Sequence, residues 1–343
     1  MKSTRLTLAL FLLFLLAAGC EKMIISENPE DKNLEDFETA WETASDRYPY
    51  FELKNVDWDA CYANYYPLAA AARGDEIYTV LLDMFACLED GHMYIETEGG
   101  KQLTPWTPPR RTKDIYAFNA TLIGTYFNEE ILLDDEGIMN YQVLPQNLGY
   151  LNISTFAGKY KFSSISLIFD FFVNTSGLIV DIRHNYGGDI KNVDKLIRNF
   201  IDKPIPRNPY YFEYEQLEMD SIQPGGNYTY INPVVVLING VSFSSSEIAS
   251  EIFKQQIPQA TLIGDTTGGG SLGYLNKYEN GDFLLPSGKL MHIGNLDVRK
   301  YNNETFENIV ILPDILYPQT EADVSAGNDK QLEFAIQFLA SKK

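Results

Sequence analysis

The segment Val241-Ser242-Phe243-Ser244-Ser245-Ser246-Glu247-Ile248 follows an apolar run, Pro233–Asn239, that reads as a buried strand. A serine in the turn between a strand and a helix suits nucleophilic catalysis. Its hydroxyl is held out, and the unbonded N–H groups of the first helical turn point at whatever it attacks. The same residues also spell Ser-x-x-Glu, the capping box of an ordinary helix start, and on pattern alone that structural reading is the commoner one. A catalytic serine needs a base that titrates near neutrality, and imidazole supplies one.

The chain has three histidines. His92 follows Asp90-Gly91 at the end of a helical stretch. His184 lies in the strand-to-loop segment Asp181–Gly188, and His292 sits in an apolar stretch and reads as structural. From the residues alone, His92 and His184 are equal candidates for the base. Gly187-Gly188 lets backbone approach a ligand closely and offers N–H groups to an oxyanion, although a tight turn between strand and helix needs the same glycines. Gly268-Gly269-Gly270 lacks the Gly-Lys-Ser/Thr that would complete a phosphate loop. With no His-Glu-x-x-His and no cysteine cluster, no metal and no other cofactor is expected.

The elements that must position these groups come in two kinds. Helical patterns start at Asn28-Pro29 (Leu34, Phe37, Trp41 and Ala44 on one face), near Asp57, and at Asp75. They define an N-terminal helical domain over residues 34–100. Residues 101–147 read as a linker and a short β region, with strands at Ile115–Phe127 and Ile138–Leu144. From 148 to 343, strand-like Gly149–Ile153, Leu178–Ile182, Pro233–Ile238 and Thr261–Ile263 alternate with helices near Ser163–Val173, Asp189–Ile201 and Ser244. Alternation with continuous apolar strands argues for an α/β core covered on both faces. Lys330–Leu339 closes the chain as a helix.

The first residues, MKSTRLTLALFLLFLLAAGC, hold Lys2 and Arg5, an apolar run from Leu6 to Ala18, and Gly19-Cys20. That run is built like a signal peptide and is too short for a permanent bilayer span. Its end, Leu16-Ala17-Ala18-Gly19-Cys20, resembles the bacterial lipobox, which implies cleavage before Cys20 and lipidation of its thiol. The expectation is an exported lipoprotein, residues 20–33 being its tether and the outer membrane its site. Loss of residues 1–19 moves the formal charge from −20 to −22, a poor match for nucleic acid or an anionic surface. Cys61 and Cys87 would remain, paired or simply packed. Oligomeric state is not encoded in any of these patterns.

Four segments in order carry a resemblance: Leu178–Gly188, Ser244-Ser245-Ser246-Glu247, Ile263–Gly269 and Phe306–Asp314. Together with Asp90-Gly91-His92, they resemble the serine peptidase family that includes C-terminal processing peptidases, the tricorn protease core and retinoid-binding-protein repeats. The resemblance implies a crotonase-like α/β core and a serine peptidase that cleaves peptides or unfolded protein tails through an acyl-enzyme. In the lysine-using branch a Gly-Lys-Gly element follows the serine's helix. Here Gly270 stands at that position and Lys277 lies beyond it, so the tricorn-like branch is the better match. Carried over residue by residue, Ser244 is the nucleophile, His92 the general base and Glu307 the group that orients it. The N–H groups of Ser245 and of Gly187 or Gly188 form the oxyanion hole. Where the tricorn protease has a serine before its histidine, this chain has Gly91, and Glu304 is a nearby substitute for Glu307. The segment 112–147 is too short for a complete peptide-binding PDZ insertion. Two rival readings are a non-catalytic ligand- or peptide-binding protein on the same scaffold and an acyl-CoA enzyme, the latter resting on fold analogy alone.

Overall fold

The computed structural model describes residues 29–97, 99–212, 215–270, 272–273 and 281–342. The leader with Cys20 lies outside the described residues, as does Lys277. No helix among the described residues is long and apolar enough to cross a membrane.

Four helices come first: α1 (Pro29–Arg47), α2 (Phe51–Lys54), α3 (Trp58–Ala71) and α4 (Glu76–Ala86). Phe37, Ala40 and Ala44 of α1 are fully buried at helical spacing and share one apolar cluster with Ile77, Leu81, Met84 and Phe85 of α4. The indoles of Trp41 and Trp58 each donate to the other residue's carbonyl, at 3.1 and 3.2 Å, and so lock α1 to α3. Asp57 caps α3 by accepting the Ala60 N–H at 2.9 Å. Cys61 and Cys87 are free thiols, and burial and the neighbouring Cys87 raise the Cys61 pKa. The chain leaves α4 through Asp90-Gly91-His92 into β1 (Tyr94–Glu96) and β2 (Gln102–Leu103).

Next come α5 (Pro109–Asp114) and α6 (Ala120–Gly124). The strand expected over 115–127 is therefore not formed. Asn119 Oδ1 accepts the N–H groups of Thr121 and Leu122, at 2.9 and 3.2 Å, which starts a helical turn where apolar content alone suggested extension.

The remaining elements are β3 (Leu132–Leu133), β4 (Met139–Leu144), β5 (Leu148–Ile153), α7 (Ile165–Phe171), β6 (Leu178–Asp181), α8 (Ile190–Ile197), β7 (Tyr210–Phe212) and β8 (Glu215–Gln216). They are followed by β9 (Val234–Ile238), α9 (Ser245–Gln256), β10 (Ala260–Gly264), β11 (Leu272–Gly273), β12 (Asp282–Leu284), β13 (Leu290–His292), β14 (Leu296–Val298), β15 (Ile315–Leu316), α10 (Glu321–Ser325) and α11 (Lys330–Ala340). A mixed sheet runs β15-β10-β9-β6-β5-β4-β3, parallel from β15 to β5 and antiparallel beyond. Strands β4 and β5, on either side of residue 147, are hydrogen-bonded neighbours.

Burial shows why the central strands are apolar throughout. Val234, Val236 and Ile238 face the cluster that includes Ile248, Ile252 and Phe253 of α9, while Val235 and Leu237 face Leu332, Ala335 and Leu339 of α11. A period-two strand with apolar partners on both faces leaves no polar position, and each such side chain contributes about 1.5–3 kcal/mol. The start of α11 is tied to the sheet by charge. Arg183, wholly buried just beyond β6, pairs with Asp181 at 2.7 Å and with Asp329 at 2.9 Å, and Asp329 also accepts the Leu332 N–H. In a second sheet, β12-β13-β1-β2, Tyr94 lies opposite His292. The strand that follows His92 is thus paired with a hairpin from the C-terminal half.

Candidate active site

The turns leaving β6 and β9 emerge at the carboxyl ends of adjacent parallel strands, where open α/β sheets place their ligands. Asn185 joins the two turns. Its Nδ2 donates to the Ile153 carbonyl at 3.0 Å and its Oδ1 accepts the Gly187 N–H at 2.9 Å. The Ser246 hydroxyl lies 2.7 Å from the same Oδ1, and the Phe243 N–H donates to the Asn185 carbonyl at 3.1 Å. Ser242 Oγ donates to the Ile182 carbonyl at 2.9 Å.

Ser244, at the entry to α9, has φ 57° and ψ −124°. That conformation is costly for a residue with a Cβ and persists only where the surroundings impose it. They do so here through Glu247. Its wholly buried carboxylate accepts the Ser244 N–H at 3.1 Å, the Thr267 hydroxyl at 2.7 Å, and the Gly269 and Gly270 N–H groups at 2.9 and 2.8 Å. Burial pushes the Glu247 pKa up to about 7 in spite of these four donors.

Gly187 (φ 92°) and Gly188 (φ 140°) both need the freedom of glycine. A Cβ on Gly187 would lie 2.8 Å from Ser244 Cβ and 2.9 Å from the Ser245 nitrogen, and one on Gly188 would lie 2.2 Å from the Phe156 carbonyl carbon. The Gly187 N–H is committed to Asn185. Those of Gly188 and Ser245 have no acceptor among the described residues. Of the expected oxyanion donors, Ser245 and Gly188 remain available.

His92 reaches the same place from the N-terminal side. Its ring stacks on Phe243 with centroids 4.5 Å apart, and a Cβ on Gly270 would lie 2.9 Å from its Cε1. Nδ1 lies 3.2 Å from Asp90 Oδ1, which also accepts the His92 backbone N–H at 2.8 Å, while the buried Nε2 has no hydrogen-bond partner. A proton on Nδ1, donated to Asp90, leaves the Nε2 lone pair open.

Asp90 stands where the sequence expectation had Glu307. It is wholly buried, accepts the Tyr48 hydroxyl at 2.9 Å and lies 3.6 Å from Lys54 Nζ. Burial alone would raise its pKa, but the hydrogen bond from His92 and the Lys54 charge outweigh it and hold the carboxyl well below the usual range. Glu307 joins the cluster at Lys54, whose Nζ is 2.5 Å from its Oε1. Burial and the Asp90 charge raise the Glu307 pKa, with Lys54 and His92 opposing. The reason for the difference is geometric, since the two-residue Asp90–His92 spacing lets one carboxylate hold both the backbone and the ring of the histidine.

The other two histidines are placed apart from this cluster. His184 (φ 62°) stacks on Phe118 and its Nε2 lies 2.6 Å from the Ile115 carbonyl. His292 stacks on Tyr94 with its Nδ1 2.7 Å from Asp282. Sequence reasoning missed Lys54, Tyr48 and Asn185 as site-builders. Nothing in the sequence singles out Lys54 or Tyr48. Asn185 was visible within the segment that carried the resemblance.

Comparison with known proteins adds an independent line. The model of peptidase family S41 matches residues 147–317, and that of the tricorn protease C1 domain matches residues 29–86. The nisin-resistance protein of Lactococcus lactis subsp. lactis is 28% identical over 159 residues, 41% of this chain and 46% of that protein. Tricorn protease homolog 1 of Streptomyces coelicolor is 31% identical over 166 residues, 48% of this chain and 14% of that protein. The chain thus spans less than half the length of these curated relatives. A candidate peptidase from Parabacteroides merdae superposes with a TM-score of 0.74 at 25% identity, over 90% of this chain and 96% of that one.

Proposed function

Because this chain belongs to peptidase family S41, we propose that it is a serine peptidase cleaving peptides or unfolded protein tails through an acyl-enzyme on Ser244. The observation that carries the reading is the strained Ser244 at the entry to α9, against the Gly187-Gly188 turn, with His92 stacked on the adjacent Phe243. Ser244 Oγ attacks the scissile carbonyl as His92 Nε2 takes its proton, and the same imidazolium then protonates the leaving amine. Ser245 and Gly188 N–H groups bind the tetrahedral oxyanion. Asp90 orients the imidazole directly, and Glu307 acts through Lys54.

The electrostatics favour this cycle. Asp90 and Glu307 share one ammonium, that of Lys54. Asp90, held ionised by its hydrogen bond from His92 and by Lys54, places a negative charge beside the imidazolium formed in the reaction. The core is read as crotonase-like, from its alternating strands and helices. The leader is read as that of an exported lipoprotein anchored through Cys20 in the outer membrane, which fits a peptidase of extracytoplasmic peptides and an acidic chain poorly matched to nucleic acid.

The test is a fluorophosphonate probe applied to protein lacking residues 1–20. Wild type should be labelled at Ser244. Ser244→Ala should abolish labelling, and His92→Ala should slow it by about 10³-fold or more, both variants remaining folded by circular dichroism. A folded wild type that is neither labelled nor hydrolytic would instead make the chain a binding protein on a peptidase scaffold.

A further inference from the structure

Helix α5 carries three cations that meet different fates. Arg110 is exposed, and Lys113 pairs with Asp265 at 3.0 Å. Arg111 is half-buried, and its guanidinium carbon lies 4.3 Å from the ring centre of Tyr186 and 5.7 Å from that of Phe243. Those two rings belong to the site itself. Phe243 precedes Ser244 and stacks on His92, and Tyr186 precedes Gly187-Gly188. The segment is docked closely enough that a Cβ on Gly91 would lie 3.0 Å from Pro108 Cδ, and one on Gly240 would lie 2.6 Å from the Arg110 carbonyl oxygen.

Among the described residues no carboxylate pairs with Arg111. The acids nearby are engaged elsewhere: Asp114 accepts the Gly240 N–H, Asp265 takes Lys113, and Asp90 and Glu307 share Lys54. Burial lowers the guanidinium's pKa, yet arginine stays charged at neutral pH. A planar donor fork that meets the Tyr186 hydroxyl and two aromatic rings, with no carboxylate beside it among the described residues, keeps further N–H groups for an anion.

Resting on the peptidase reading, we infer that Arg111 anchors a carboxylate of the bound peptide beside the bond that Ser244 attacks. Two sources share that chemistry: the peptide's own C-terminus and an acidic side chain.

The experiment uses aminobenzoyl-labelled hexapeptides of alanine and leucine in three forms: free C-terminal carboxylate, C-terminal amide, and amide with one internal glutamate. Anisotropy gives Kd on the Ser244→Ala protein, with and without Arg111→Gln and Arg111→Lys, and kcat/KM is measured on the catalytically intact counterparts. One carboxylate form should bind the Ser244→Ala protein at least about tenfold more tightly than the plain amide. That ratio should fall by about tenfold in Arg111→Gln and be partly restored in Arg111→Lys. The form that shows the preference identifies the source. A carboxylate-to-amide ratio near one in the Arg111-intact protein, or one unchanged by Arg111→Gln, overturns the inference. Preference in binding without hydrolysis leaves Arg111 as an anion anchor and removes the peptidase reading, whereas hydrolysis without preference does the reverse.

Discussion

At the scale of single residues, Asp90 and Glu307 divide one task unequally. Asp90 touches the histidine ring and backbone, while Glu307 meets the cluster at Lys54. Asp90→Asn keeps the shape and the oxygen that meets both the backbone N–H and Nδ1 of His92, but removes the negative charge that faces the imidazolium formed in the reaction. Its expected cost in kcat is on the order of 10³–10⁴-fold, with KM little changed. Glu307→Gln should cost clearly less, because its effect passes through an ammonium. Steady-state kinetics on one peptide substrate decides between them. A Glu307→Gln variant as damaged as Asp90→Asn would return the orienting role to Glu307.

At the scale of elements, the start of α9 is held by Glu247, whose four donors come from its own helix entry and from the loop after β10. A buried carboxylate with a pKa raised from 4.5 to about 7 binds its proton more readily folded than unfolded. Its contribution to stability is therefore greatest below pH 4.5 and is lost as the pH rises to about 7, by roughly 3 kcal/mol in all. Against Glu247→Gln, which cannot ionise, the wild type should lose about that much relative stability between pH 4.5 and 8. Urea unfolding across that range measures it, and a constant difference would refute the raised pKa. The start of this helix was legible in the sequence as Ser244-x-x-Glu247, and strands β6 and β9 as unbroken apolar runs, because burial on both faces leaves only apolar side chains. The helix α6 was not, since a single side chain, Asn119, decides between a turn of helix and an extended segment. Nor could Asp90 be preferred over Glu307, because the choice depends on where Lys54 lies after folding.

At the scale of the whole molecule, the site exists only where the N-terminal helices meet the sheet that carries Ser244, and Lys54 is the bolt between them. It belongs to α2, donates to the Leu88 and Glu89 carbonyls at 2.9 and 3.0 Å, and pairs with Glu307 from the far end of the chain. The Tyr50 hydroxyl makes a parallel link to Asp297 at 2.9 Å. Lys54→Met fills the same space but leaves two buried carboxylates facing each other without a cation. Breaking such a pair costs about 3–5 kcal/mol, and the remaining repulsion raises the Glu307 pKa further. A carboxyl raised in the folded state is penalised when ionised and relieved when protonated. The deficit of Lys54→Met should therefore be largest near pH 8 and shrink as the pH falls through the raised Glu307 pKa. Denaturation at pH 5 and pH 8 should show that convergence, together with a loss of catalysis at both. A deficit independent of pH would mean that Lys54 acts through packing alone and that the two halves are joined chiefly by the apolar contacts and the β1–β13 pairing.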